Sequence, residues 1–249
     1  MVLSMERWVG KVVLVTGASA GCGAAIVTQL VENGLKVVGL ARRKEKVEEI
    51  AKSLEGKSGK LYPYAGDVTK EEDILNCFKW TKENVGPISI LINNAGIKRN
   101  TNLISGDTDL WRETFETNVI GLCIATREAV KDMQANNIDG HIIHINSLAG
   151  HRVSTVVVTN VYPASKFAVT ALTETLRMEL NSIGSKIKIT SISPGAVKTE
   201  FRQASNLKED EEKLSKKPIL LPSDVVDAVF YALSTPPHVQ VHDILIHPI

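Results

Sequence analysis

Seven short apolar runs, most of them dense in β-branched residues, recur along the chain and alternate with longer amphipathic stretches. This alternation limits the possible folds more than any other feature. The runs are KVVLVTG (11–17), LKVVGLA (35–41), GKLYPYAGD (59–67), ISILINNAG (88–96), GHIIHINS (140–147), IKITSISPG (187–195) and VQVHDILIH (239–247). Several are apolar at successive positions, as strands covered on both faces are. Helical periodicity fills the intervals 21–33, 43–54, 70–84, 110–136, 160–182 and 223–233. Strand and helix in turn predict βαβ units: an α/β, doubly wound, seven-stranded parallel sheet with helices on both faces. No repeat, linker or low-complexity segment divides the chain, so residues 1–249 are expected to form one domain.

The first predicted strand runs into TGASAGCG (16–23), which opens a helical stretch. In a doubly wound fold such a turn lets the backbone approach a pyrophosphate, which the N–H groups of the helix N-terminus then hold. Gly17 would make the tight turn, Gly21 the close approach and Gly23 the contact between helix and sheet, with Ser19 and Cys22 between them. The spacing is Gly-x-x-x-Gly-x-Gly, so three glycines alone say little; their place between strand and helix carries the inference. The second strand ends GLARRKEK, where a carboxylate would suit an unphosphorylated ribose and an arginine a 2′-phosphate. Ala41 stands at the acid's place, followed by Arg42 and Arg43. An arginine fork grips phosphate in two places, so NADP(H) is the expected dinucleotide, unless both arginines are merely solvated at a helix start.

In VYPASKFAV (161–169), Tyr162 and Lys166 stand four apart, which on a helix puts them on one face. A free phenol has a pKa of about 10 and is a poor base at neutral pH. An ammonium within about 4–6 Å would lower it toward working pH. Pro163 suits a first helical turn. Ser147 at the end of the fifth strand, Asn118 within 110–136 and NNAG (93–96) after the fourth would gather at the carboxyl edge of the sheet, where such folds bind ligands. Read singly, each is also an ordinary turn or cap residue.

Taken in order, TGASAGCG, NNAG, Asn118, Ser147, YPASK and SPGAVKT (193–199) resemble the short-chain dehydrogenases/reductases, over roughly 11–247. MERW, NSLAGHRV, VTALTE and LSTPPHVQ resemble the farnesol dehydrogenase branch of that family. The resemblance implies a Rossmann-like fold and a site in which Tyr162 is the general acid/base. Lys166 would hold the nicotinamide ribose and lower the phenol's pKa, Ser147 would hydrogen-bond the substrate oxygen, and Asn118 would help carry a water relay to Lys166. It further implies that Asp67 and Val68 meet the adenine and Asn94 its ribose, with Ala95 and Gly96 alongside. Pro194, Gly195, Val197 and Thr199 would meet the nicotinamide end. Cys22 stands where the family usually has isoleucine or leucine.

The substrate is less legible. LAGHRVSTVVVTNV, between Ser147 and Tyr162, either lines a pocket for an apolar alcohol or carbonyl compound (a terpenoid or steroid) or packs in the core. The charge-dense run 200–217 is either a solvated face or, as the resemblance suggests, part of a substrate lid at about 197–217. Lys98 and Arg99 touch a phosphate or nothing, and His144 and His151 read as structural, with no metal implied. A non-catalytic dinucleotide-binding scaffold is the remaining alternative. Family likeness implies a homodimer or homotetramer through 110–136 and 160–182. A net charge of +1 implies no general attraction to nucleic acid or an anionic membrane. Three scattered cysteines fit a reducing compartment. The start of the chain shows no secretory pattern and no run is long enough for a membrane span, so a cytoplasmic protein is expected.

Overall fold

A computed structural model of the protein describes residues 3–153, 160–203 and 218–249. All seven expected strands form: β1 (Val12–Thr16), β2 (Lys36–Ala41), β3 (Lys60–Ala65), β4 (Ile88–Asn93), β5 (His141–Ile145), β6 (Lys188–Pro194) and β7 (Asp243–Ile246). They make one parallel sheet in the order β3-β2-β1-β4-β5-β6-β7. Strand order reverses between β1 and β4, so the loops leaving those two strands diverge and open a crevice at their carboxyl ends.

Among the described residues the α-helices are α1 (Gly21–Glu32), α2 (Lys44–Ser53), α3 (Glu71–Asn84), α4 (Thr108–Phe115), α5 (Gly121–Ala135), α6 (Tyr162–Ser182), a short α7 (Glu200–Gln203) and α8 (Pro222–Ser234). Each covered face of the sheet has its own apolar cluster. Val13, Val15 and Val37 pack with Ile26, Leu30 and Val229 from α1 and α8 on one side. Leu14, Val38 and Leu91 pack with Ile74, Ala129 and Met133 from α3 and α5 on the other. Two differences from expectation bear on the site. The continuous helix predicted over 110–136 is interrupted by a π turn at Glu116–Ile120, because periodicity does not register one extra residue per turn. β5 ends at Ile145, so Ser147 lies two residues beyond the strand.

The carboxyl end of α8 is tied down by side chains from distant segments. Arg7 Nη2 and Trp8 Nε1 both donate to the Leu233 carbonyl, at 2.9 and 2.8 Å. Lys188 Nζ donates to Thr235 Oγ1, Pro236 O and Val239 O at 3.2, 3.2 and 2.8 Å. Cations and donors at this end complement the helix dipole and its unpaired carbonyls.

A buried polar chain crosses the sheet's other face. Asn93 Nδ2 donates to Thr126 Oγ1, which meets His144 Nε2, while His144 Nδ1 meets Thr173 Oγ1 at 2.9 Å. His144 is therefore structural, bonded on both nitrogens between α5 and α6. Burial, with help from the Lys166 charge, pushes its pKa down to about 3. The folded state thus holds His144 neutral, whereas an unfolded chain protonates it near 6.5, so stability falls as pH drops through that window. His144→Gln should flatten the dependence of unfolding free energy on pH between 6.5 and 3 by up to about 1.4 kcal/mol per pH unit. Urea melts at several pH values read this slope; an unchanged slope would locate the acid sensitivity elsewhere.

Candidate active site

The turn after β1 is built to leave room. Gly17 has φ +68°, and a Cβ there would lie 2.8 Å from Ala95 Cα. Gly23 sits in the first turn of α1, where a Cβ would lie 2.2 Å from the Gly17 carbonyl oxygen and 2.5 Å from Asn94 Nδ2. The side chain of Ala20, which precedes α1, caps no N–H of the helix. A glycine floor leading into uncapped helical N–H groups fits the pyrophosphate of a dinucleotide. Cys22 is half-buried among these glycines, and burial pushes its thiol up to about 11, so it is a neutral, compact group.

The end of β4 is locked onto this turn by one hydroxyl. Thr16 Oγ1 accepts from both Asn94 N (3.1 Å) and Ala95 N (3.0 Å), while Asn94 Nδ2 donates to the carbonyls of Thr16 and Gly17 at 3.0 and 3.1 Å. Asn94's amide hydrogens are therefore spent on the glycine turn. Asp67 closes a local turn: its Oδ1 accepts from Thr69 N and Oγ1, and its own N–H donates to Asp73. Val68 packs under the π turn, its carbonyl close to Gly121.

Asn118 lies on the π turn and is buried. Its Oδ1 accepts from Ile97 N at 2.8 Å, and its Nδ2 donates to Ile97 O (2.9 Å) and to Ser165 Oγ (3.0 Å). Ser165 in turn donates to the Tyr162 carbonyl at 2.7 Å. Both amide hydrogens thus brace the loop after β4 against the first turn of α6. Gly96 brings that loop close enough for a Cβ to lie 3.5 Å from Asn118 Oδ1 and 3.9 Å from Lys166 Nζ.

Tyr162 opens α6, with Pro163 in its first turn. The helix sets Lys166 on the same side, its Nζ 6.0 Å from the Tyr162 ring centroid and donating to the Ile145 carbonyl at 2.9 Å. Ser147 caps the turn Leu148–Gly150 through the Ala149 N–H and hydrogen-bonds Tyr162. The phenol, the ammonium and the hydroxyl therefore share one neighbourhood, beside Gly96. One electrostatic expectation is corrected. Burial dominates here: it pushes the Tyr162 phenol up to about 12, with only the Ser147 hydrogen bond pulling it down. Burial also pushes Lys166 down to about 8. The ammonium is committed to a backbone carbonyl, and both groups lose more from lost hydration than the pair returns.

The arginines after β2 are not free of carboxylates, as their local sequence implied. Arg43 Nη2 pairs with Glu200 Oε2 at 3.2 Å, both half-exposed. Arg42 lies close enough to Glu113 to help hold its carboxyl below the usual range, with Asp67 acting the other way. Glu200 stands 157 residues from Arg43; no local reading finds it. Around it, Thr199 lies against Gly21, and the Phe201 ring lies 5.9 Å from the Tyr162 ring. The Val197–Leu220 bridge ties down the base of this segment, and Gly195 N donates to Ile246 O at 2.8 Å just after Pro194. Of the expected lid, Thr199 and Phe201 reach the glycine turn and the Tyr162 ring, while 204–217 fall outside the described residues. So do residues 154–159, which hold Val156, Val157 and Val158 of the pocket expected between Ser147 and Tyr162.

Sequence reasoning missed Thr16, Asn160, Ser165, Glu200 and Phe201, each placed by tertiary contact. Ser165 alone carried a local signal, as the small residue inside YPASK.

A glycine-floored crevice at the switch point of a parallel sheet, beside a Ser–Tyr–Lys cluster, defines an α/β oxidoreductase. The family model for short chain dehydrogenase matches residues 11–210, and the chain belongs to that family. Farnesol dehydrogenase of Aedes aegypti is 48% identical over 247 residues, covering 98% of each chain. Dehydrogenase/reductase SDR family member 11 of Homo sapiens is 47% identical over 250 residues, covering 98% of this chain and 96% of its own. Among solved structures, the alcohol dehydrogenase of Thermococcus sibiricus complexed with 5-hydroxy-NADP superposes with a TM-score of 0.82 at 25% identity, covering 94% of this chain and 95% of its own. A closed serine dehydrogenase complexed with NADP⁺ gives 0.84 at 32%, covering 94% and 93%. No helix among the described residues is long and apolar enough to cross a membrane.

Proposed function

We propose that the protein is an NADP(H)-dependent oxidoreductase interconverting an apolar alcohol of the farnesol type with its aldehyde or ketone. The convergence of Tyr162, Lys166 and Ser147 beside the glycine turn carries this reading. The nicotinamide supplies or accepts the hydride when bound; the chain contributes positioning and proton transfer. Ser147 donates to the substrate oxygen and holds it against the Tyr162 hydroxyl. In reduction the phenol gives its proton to that oxygen as negative charge develops there. In oxidation the phenolate takes the proton from the alcohol. Lys166 holds the ribose and offsets the phenolate's charge. Asn118 fixes the loop and the start of α6 with its side chain, so any water relay runs past it and not through its amide. By the family likeness, Asp67 and Val68 would meet the adenine and Asn94 its ribose, with residues 194–199 at the nicotinamide end.

The substrate assignment rests on the 48% identity with farnesol dehydrogenase; reduction of a steroid or other apolar carbonyl is the alternative. We place the protein in the cytoplasm, as one domain, and as a homodimer or homotetramer pairing through 110–136 and 160–182. Exposed Ile120 and Phe167, at 44% and 42% accessibility, suit such a face.

Purified protein with farnesol and NADP⁺, and separately with NAD⁺, tests the reading by reduced-nicotinamide absorbance. A signal with NADP⁺ supports it. Silence with farnesol and activity on carbonyls with NADPH favours the alternative, and silence in both leaves a binding scaffold. Preference for NADP⁺ is expected to rest on Arg42 and Arg43. The Arg42→Ala/Arg43→Ala double variant should weaken NADP⁺ by on the order of tenfold or more while leaving NAD⁺ nearly unchanged. Equal losses for both dinucleotides, measured by calorimetry, would remove the arginines from that role.

A further inference from the structure

The residue two before Tyr162 holds an unusual conformation. Asn160 has φ +42°, in the left-handed region that asparagine tolerates because its side chain can bond locally. Its amide does more than that. Oδ1 accepts from Val161 N at 2.5 Å, and Nδ2 donates to the Arg99 carbonyl at 2.7 Å. Val161 immediately precedes α6 and provides no side-chain cap, so Asn160 takes over part of that duty one residue earlier.

The far end of this contact is itself held. The Arg99 guanidinium makes two hydrogen bonds to Glu113 of α4, and that pairing is the main cause of Glu113's lowered pKa. Bidentate pairing restrains orientation as well as distance. Ile97, two residues before Arg99, is fixed on both N–H and carbonyl by Asn118. The loop leaving β4 is therefore clamped at Ile97 and again at Arg99. Asn160 transfers the second clamp to the start of α6.

We infer that Asn160 is a positioning residue, which sets the Tyr162 hydroxyl against the loop that follows NNAG. This rests on Tyr162 being the acid/base of the proposed function. Proton transfer needs the phenol within hydrogen-bond reach of the substrate oxygen, and displacements near 1 Å cost heavily in rate. Residues that bind ground and transition states alike would change KM; one that aims the phenol changes kcat.

Asn160→Gly keeps the left-handed backbone available and deletes the side-chain bonds to Val161 and Arg99. Turnover of farnesol with NADP⁺ should fall about tenfold or more in kcat, with KM and the NADP⁺ dissociation constant within about twofold. Asn160→Asp keeps the acceptor for Val161 and loses the donor to Arg99, so it should fall between Asn160→Gly and the native protein. Glu113→Gln loosens Arg99 from α4 and should reproduce a smaller kcat-selective loss. A second readout needs no substrate. The chain has four tyrosines, so ¹³Cζ-tyrosine NMR, assigned with Tyr162→Phe, resolves the active phenol. Asn160→Gly should shift or broaden the Tyr162 resonance and leave the other three in place. Unchanged kcat and an unmoved Tyr162 resonance in Asn160→Gly would overturn the inference, as would equal losses in kcat, cofactor affinity and melting temperature. Full activity in Tyr162→Phe would instead overturn the acid/base reading beneath it.

Discussion

Replacing Tyr162 by phenylalanine should lower turnover by about 10²–10⁴-fold while leaving the fold and dinucleotide affinity in place, because a positioned proton donor contributes on that order. The pH dependence around it follows from two displaced groups. With Tyr162 pushed up to about 12, the free enzyme at neutral pH holds a protonated phenol, ready to reduce a carbonyl. Alcohol oxidation needs the phenolate, so its kcat/KM should climb with pH above 7, since the phenolate fraction grows tenfold per pH unit below the pKa. Lys166, down to about 8, limits that climb: as pH rises through about 8 the ammonium is lost, and cofactor affinity should weaken. Lys166→Met should bind the cofactor poorly and without that pH dependence. Stopped-flow rates in both directions, with equilibrium titrations of the cofactor from pH 6 to 10, test the pair. A flat oxidation profile in the native protein would mean that bound cofactor has already lowered the phenol's pKa.

The second large effect should come from a single methyl group. Gly23→Ala would put a Cβ 2.2 Å from the Gly17 carbonyl oxygen and 2.5 Å from Asn94 Nδ2. The first contact is with backbone, which cannot turn aside, so the glycine turn must shift and Asn94 must lose its hold on it. Overpacking of this kind typically costs about 1–3 kcal/mol in stability. Its functional cost should be larger, since in the proposed function the displaced peptide would form the floor of the phosphate cradle. Dinucleotide affinity should fall on the order of tenfold or more, and the melting temperature by several degrees. By contrast, a Cβ at Gly56 meets nothing within 4 Å, and only its φ of +82° resists substitution, so Gly56→Ala should cost stability alone. Calorimetric binding of NADP⁺ to both variants separates the cases. Native affinity in Gly23→Ala would show that the turn gives way without disturbing the ligand.

The frame of this molecule was readable because burial imprints itself on local pattern. Runs covered on both faces, such as ISILIN, became strands within a few residues of their expected ends. The glycine turn was readable for a related reason: φ values of +68° at Gly17 and +56° at Gly21 suit few other residues. Tyr162 and Lys166 share a helix, so spacing alone placed them together. What sequence could not supply was anything made by long-range contact. Glu200 reaching Arg43, Asn160 reaching Arg99 and Thr16 holding both Asn94 and Ala95 are tertiary choices with no local signature. Nor could spacing weigh lost hydration against a neighbouring charge, which decides where Tyr162 and Lys166 titrate.

The π turn at Glu116–Ile120 has a consequence for how the site and the core share one long element. An uninterrupted helix repeats a single facing, so any adjustment at one end would be passed to the other as rotation. One surplus residue acts as a slip joint. Upstream, Glu113 answers to Arg99 and the loop over the site. Downstream, Ala125, Ala129 and Met133 answer to the sheet. Removing one residue from the joint would turn the upstream segment by about 100° relative to the downstream one. The site would then lose its bearings while the hydrophobic layer beneath stayed where it was.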